Sequence, residues 1–140
     1  MREQNRNGSK LFLTELMIAI FFFSIITAVC VQLFADAHMM SKRSQELTQA
    51  VNVAANAAEY YSVWDYDYDS WSTLFAEGKW DGDVWQISYD EQWQPCISNG
   101  SYMLEMKIAQ VDSLSTAYII VTDNQQSELY SLEVKRAHGE

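Results

Sequence analysis

The chain has 140 residues, of which 49% are hydrophobic and 14% aromatic, and its formal net charge at pH 7 is −10. This length suffices for one small domain beside a membrane segment and excludes two separate cores. After Phe34 the sequence has 6 Lys and Arg residues against 17 Asp and Glu. Because binding to a phosphate backbone needs clustered Lys and Arg, this acidity argues against direct contact with nucleic acid.

A basic leader, residues 1–10, precedes an apolar segment from Leu11 to Phe34 in which Glu15 is the one charged residue. A helix of 24 residues reaches roughly 36 Å and crosses a hydrocarbon core of about 30 Å. We predict a transmembrane helix over residues 11–34. Since basic residues beside a first span stay in the cytoplasm, we expect a single-pass cell-membrane protein with an extracytoplasmic C-terminal domain.

A cleaved signal peptide is the alternative to a transmembrane helix over residues 11–34. A signal peptide would have a shorter apolar core, and Ala35-Asp36-Ala37 is an imperfect signal-peptidase cleavage site.

Glu15 lies one turn inside the apolar run, where a carboxylate is costly to bury. Either Glu15 is hydrated or protonated among lipid head groups, or another subunit supplies a positive partner.

The segment LFLTELMIAIFFF, residues 11–23, resembles the N-terminal segment of type IV pilins and pseudopilins, the filament subunits of pili, type II secretion and DNA-uptake machines. The resemblance implies that a prepilin peptidase cleaves the leader and methylates the new amine. Cleavage between Lys10 and Leu11 makes Glu15 the fifth residue, as in the family. The family usually has Gly before the cut, so Gly8 and Ser9 form the second candidate site. Glu15 would then pair with the N-terminal amine of a neighbouring subunit.

Residues 35–63 continue the helical pattern, with neither Gly nor Pro between Ser9 and Glu77. Apolar residues at spacings of three and four predict one buried face, formed by Leu47, Val51, Ala54, Ala58 and Tyr61. The many alanines leave this part of the helix slim, which allows a sheet to approach closely. We therefore predict a single helix from Leu11 to about Tyr61.

Residues 64–83 form an acidic, aromatic connector. Alternate carboxylates resemble the start of a calcium loop and belong to Asp65, Asp67 and Asp69. The rest of the calcium-loop pattern is absent, because Ser70 occupies the position of the turn glycine and Ala76 occupies the position of the Glu that would complete the site. We predict a solvated connector without a metal, and calcium binding is the alternative. An exposed aromatic platform for sugars or partners is a further alternative, with Trp64, Trp71 and Trp80 as its members.

From residue 84 to 136 the apolar period changes to two, which is typical of half-buried strands. The inward residues of the predicted strands are Trp85, Ile87, Tyr89; Tyr102, Leu104, Met106, Ile108; and Tyr130, Leu132, Val134. Asn99-Gly100 predicts one hairpin turn and Asp123–Gln126 a second. We expect an α+β fold in which the long helix packs on an antiparallel sheet of about four strands, with residues 137–140 as a tail. The resemblance implies the same pilin-like layout.

The sequence contains no nucleophile motif, no Gly-rich phosphate loop and no Cys/His cluster, so we predict neither an enzyme nor a cofactor. Cys30 lies within the apolar segment, so it cannot pair with Cys96 of the same chain. We expect Cys96 to be a buried free thiol, and a disulfide between the Cys96 residues of two chains is the alternative. Two function classes remain. One is a structural filament subunit, minor rather than major, which assembles with other pilin-like subunits through its helix. The other is a membrane-anchored binding module that does not polymerise.

Overall fold

In a computed structural model, the backbone of residues 2–137 and the side chains of residues 7–137 are described. The helices are α1, Arg2–Val63, and α2, Tyr68–Leu74; the strands are β1, Lys79–Asp81; β2, Val84–Tyr89; β3, Pro95–Cys96; β4, Tyr102–Val111; β5, Leu114–Asp123; and β6, Glu128–Ala137. The chain divides into two compact units, Met1–Arg43 and Ser44–Glu140. The expected α+β fold, with one long N-terminal helix and an antiparallel sheet, is confirmed.

The N-terminal unit consists of the first part of α1, which begins at Arg2 rather than near Leu11. Residues 2–10 of the leader thus belong to the helix, which differs from the predicted start at Leu11. Of the predicted tail, residues 138–140 lie outside the described part of the chain.

The sheet of the C-terminal unit has six strands rather than about four. Its order is β1-β2-β4-β5-β6, and β3 pairs with the same β2 strand off this path. All described pairings are antiparallel. Three long strands, β2, β4 and β6, are those that the two-residue period predicts, and β5 contains residues 117–122, which the predicted turn at Asp123 joins to β6. Strand β1 lies inside the segment that we predicted to be a connector.

The two predicted hairpins have different outcomes. The turn at Asp123 is confirmed, since the Asp123 N–H donates to the Ser127 carbonyl at 3.0 Å. The hairpin at Asn99-Gly100 is wrong, because β3 and β4 both pair with β2 and not with each other. Asn99 does turn the chain with φ 57°, and a Cβ on Gly100 would lie 2.8 Å from the Tyr89 carbonyl oxygen. A glycine is therefore needed where the chain passes the end of β2.

The core forms where the last turns of α1 pack on the inner face of the sheet. Ala50, Ala54, Ala57 and Tyr61 are buried along the helix. This face is rotated from the predicted one, because Leu47 is exposed and Val51 and Ala58 are only half-buried. The smallest side chains occupy the line of closest approach, and the large ones come from the strands: Trp85, Ile87, Leu104, Met106, Ile119 and Val121.

An aromatic cluster of Trp64, Trp71 and Trp80 borders the core next to the end of α1. These residues belong to the segment predicted to be a solvated connector. Trp71 is 1% exposed and Trp64 is 4% exposed. The Trp64 ring stacks on Trp80 with ring centroids 5.7 Å apart, and its indole N–H donates to the Asp67 carbonyl at 2.8 Å. The prediction of a solvated connector is thus wrong for the indoles, and so is the alternative of an exposed platform built on Trp64 and Trp71.

Arg136 of β6 fixes the C-terminal end of α1. Its guanidinium donates to the Tyr61 carbonyl at 3.2 Å and to the Trp64 carbonyl, and it lies over the Tyr66 ring, 5.5 Å from the centroid. The last carbonyls of a helix have no partner within the helix, and a cation there also complements the helix dipole. A second link joins the Tyr61 hydroxyl to the Ser115 hydroxyl at 2.5 Å.

We predict that Arg136→Ala lowers the free energy of unfolding by about 2 kcal/mol, because the carbonyls at the end of α1 lose a charged donor. Urea unfolding of the detergent-solubilised full chain measures this value. Lys135→Ala is the matched control on the exposed side of the same strand and should cost less than about 0.5 kcal/mol. Equal losses in the two variants would contradict the role of Arg136.

The burial of Tyr89 should make the free energy of unfolding depend on pH in the alkaline range. Burial raises the pKa of Tyr89 from 10.0 to about 12, with a further contribution from Glu77. The folded-state pKa is thus higher than the unfolded one, so the stabilisation is fully present below pH 10 and is lost as the pH rises towards 12. We predict that Tyr89→Phe, compared with the unchanged chain in urea unfolding between pH 8 and 11, reduces the loss of stability above pH 10. The same loss in both proteins would refute the assignment.

Candidate assembly surface

The apolar segment of α1 presents large hydrophobic side chains in every direction. From Leu11, 72% exposed, to Phe34, 78% exposed, each residue of the segment lies on the surface of the chain. The helix is long and apolar enough to cross a membrane. An all-round apolar helix is stable only in a non-aqueous environment, which lipid or neighbouring helices supply.

The hydroxyl groups of this segment are compatible with such an environment. Thr14, Ser24 and Thr27 each donate to the carbonyl four residues earlier, at 2.8 to 2.9 Å. These bonds satisfy the hydroxyl donors inside the helix, so the side chains require no partner from water. These three hydroxyl groups therefore add little polar character to the surface of the apolar segment.

Glu15 is the one charged side chain of the segment. Its side chain is exposed, and no hydrogen-bond or ion-pair partner for its carboxylate lies among residues 7–137. Helical geometry places Leu11, Phe12, Ile18 and Ala19 around it, at three and four residues on either side. A carboxylate surrounded by apolar side chains needs a cation or a donor from outside this part of the chain.

The candidate processing residues lie on the same helix, one to two turns before Glu15. Gly8, Ser9, Lys10 and Leu11 are exposed, and a Cβ on Gly8 would meet nothing within 4 Å. The backbone of both candidate sites is helical. A peptidase that needs an extended substrate would therefore have to unwind this first part of α1.

The three aspartates of the predicted calcium alternative are exposed but do not form a site. Asp67 is the N-cap of α2, and its carboxylate accepts the Asp69 N–H at 3.2 Å. Within residues 7–137, no three His, Cys, Asp or Glu side chains converge so as to hold a metal ion. The geometry thus assigns Asp67 a capping role and gives Asp65 and Asp69 no common ligand position.

The two cysteines are free. Cys30 is exposed on the apolar segment, and Cys96 in β3 is half-buried. The expectation of a fully buried Cys96 is therefore wrong, because β3 is a two-residue strand at the border of the sheet, where burial is incomplete. His38 is exposed on α1.

Comparison with known proteins adds no functional assignment, since no family model, curated protein or solved structure matches the chain. The apolar segment with Glu15 is the surface whose chemistry is left unsatisfied by the rest of the described chain.

We predict that Asp67→Ala lowers the free energy of unfolding by about 1 kcal/mol, since α2 loses its cap. Asp65→Ala is the matched control and should change this value by less than about 0.5 kcal/mol. Added calcium should leave the unfolding curves of all three proteins unchanged. A calcium-dependent shift that Asp65→Ala abolishes would restore the metal alternative.

Proposed function

We propose that this protein is a structural subunit of a pilin-like or pseudopilin-like filament, which assembles in and from the membrane through residues 11–34. The observation that carries the proposal is the carboxylate of Glu15, which has no partner among the described side chains and lies one turn inside the apolar segment. A membrane anchor alone gains nothing from such a group, because its burial is unfavourable. A subunit interface can use it, since an ion pair in low dielectric aligns two helices in one register.

The resemblance of residues 11–23 to the prepilin segment supplies the cation. Cleavage between Lys10 and Leu11 would create an N-terminal amine four residues before Glu15, and the amine of one subunit could pair with Glu15 of the next. The fold agrees with this proposal, since a long helix packed on an antiparallel sheet is the layout that the resemblance implies. The leader and the acidic domain would then be cytoplasmic and extracytoplasmic, respectively.

The alternative is a single-span membrane protein whose acidic domain binds a partner without polymerising. The specific observation in its favour is the residue before the cut, because Lys10 stands where the family usually has Gly. An uncut leader would keep the amine in the cytoplasm and leave Glu15 without this partner.

Glu15→Ala should reduce the amount of this chain in filaments sheared from native cells by at least about tenfold, since breaking a buried ion pair costs several kcal/mol. Membrane insertion should be unchanged, because the variant helix is more apolar. Asp36→Asn is the matched control, as its carboxylate lies just beyond the apolar segment, and it should leave recovery unchanged.

The N-terminal sequence and intact mass of the same samples separate the two functions. A chain that begins at Leu11 and carries one added methyl group, ~14 Da, supports the subunit, because it creates the amine that Glu15 needs. Unchanged recovery of Glu15→Ala, together with an uncut chain from Met1, would overturn the proposal in favour of the anchored module.

A further inference from the structure

The sheet of the C-terminal unit has two edges that match each other. One edge is formed by β1, which pairs only with β2 among the described strands, and the other by β6, which pairs only with β5. The two-residue strand β3 shares the first edge, because it pairs with the end of β2 on the side opposite β4. We propose that β6 of one copy pairs with β1 of a second copy, in parallel, with Trp80 opposite Val134. This inference rests on the proposed function, because it requires copies that stand side by side in one orientation.

Strand direction is the first condition, and it is met. Each neighbour in the order β1-β2-β4-β5-β6 is antiparallel to the next, so β1 and β6 run in the same direction. Copies that share one orientation therefore bring β6 of one chain beside β1 of the next as parallel strands. Their free backbone groups can form the ladder that an unpaired edge lacks.

Side-chain alternation is the second condition. In β1, Lys79 and Asp81 are exposed and Trp80 is half-buried against the aromatic cluster. In β6, Glu133 and Lys135 are exposed and Val134 is half-buried against the core. Because a shift by one residue exchanges the two faces, Trp80 must lie opposite an inward residue of β6.

Charge then selects one register. With Trp80 opposite Val134, Lys79 meets Glu133 and Asp81 meets Lys135, so both pairs are of opposite charge. With Trp80 opposite Leu132, Asp81 meets Glu133. With Trp80 opposite Arg136, Lys79 meets Lys135, and like charges directly across a ladder are unfavourable.

The ion pair already present on β6 leaves these charges accessible. Lys135 Nζ lies 3.1 Å from Glu133 Oε1, but the two side chains remain 60% and 45% exposed. A pair in such exposure contributes little on its own. Beside β1 of a second copy, the same two groups would become part of an alternating set of four charges.

The selected register also displaces the second copy. Within one chain the strand pairings place Trp80 level with Trp85, Met106, Ile119 and Leu132. Pairing with Val134 therefore shifts the neighbour by two residues, roughly 6.6 Å along the strands. A head-to-tail contact with such a displacement does not close into a ring and continues as an open helix. The proposed pairing also allows several copies of this chain to follow one another in a filament, whereas a minor subunit is expected to be present as single copies.

Disulfide trapping tests the register. Lys79→Cys and Glu133→Cys are placed in separately tagged full-length copies, co-expressed in native cells with Cys30→Ser and Cys96→Ser. Paired strands lie about 4.8 Å apart, within the Cα range of a disulfide, whereas a residue two positions away lies about 8 Å off and outside it. Ser131→Cys, which is level with Lys79 in the unstaggered register, is the matched control.

Oxidation should yield at least about tenfold more mixed dimer from the Lys79→Cys and Glu133→Cys combination than from Lys79→Cys with Ser131→Cys, because geometry excludes the second bond. Equal yields, a higher yield with Ser131→Cys, or no dimer in either combination would overturn the proposed pairing.

Charge reversal separates this inference from the proposed function. Glu133→Lys with Lys135→Glu should lower recovery in sheared filaments about tenfold, and adding Lys79→Glu with Asp81→Lys should restore it, since opposite charges again meet. If Glu15→Ala reduces recovery but the reversal of β6 does not, edge pairing is refuted and assembly through the helix stands. If neither change reduces recovery, the proposed function fails as well.

Discussion

The apolar surface of residues 11–34 is the constraint on which the rest of the chain depends. It is exposed along its whole length, and no other described element covers it. The chain cannot satisfy this surface in water, so its stable environment contains lipid, other helices or both. The carboxylate of Glu15 adds a second requirement, because hydrocarbon satisfies the apolar side chains but not an anion, which needs either water at the lipid head groups or a positive partner.

The C-terminal unit forms its core with mostly small side chains on the helix, and Tyr61 is the one large buried side chain that the described part of α1 contributes. Three alanines of α1 lie at the centre of the interface, so the backbone can approach the sheet closely and the strands supply the volume. The Tyr61 hydroxyl and the Arg136 guanidinium then fix the end of the helix by hydrogen bonds. The domain consequently needs no contribution from the apolar segment to form a core.

The long elements could be predicted from the sequence because their hydrophobic periods are strong and uninterrupted. The helix follows from the absence of Gly and Pro between Ser9 and Glu77, and the inward residues of β2, β4 and β6 follow from the two-residue period. The turn at Asp123 was also predictable, since its Asp and Asn residues favour turns.

The remaining features depend on contacts between residues distant in sequence. Trp64 and Trp71 lie in a segment whose aspartates indicate solvent, but the indoles point to the core while the carboxylates are exposed. Asn99-Gly100 has the composition of a hairpin turn, yet β2 offers both β3 and β4 a better partner. Arg136 lies in a segment whose polar and apolar residues alternate as in any edge strand, so the sequence does not indicate a particular role for it. Its role as a donor to the carbonyls at the end of α1 depends on the tertiary fold. Of the candidate site, Glu15 was apparent because a lone charge in an apolar run is a local signal.

Strand β6 shows how one alternating element can serve the fold and the proposed assembly independently. Its inward side chains, Val134 and Arg136, contact the core and the end of α1, whereas Glu133 and Lys135 point to solvent. Because successive side chains face opposite sides, charge on the outer face can change without disturbing the inner one. The fold and the proposed assembly should therefore be separable by mutation in this strand, since loss of Arg136 would act on the fold and reversal of the outer charges would act on the proposed contact between copies.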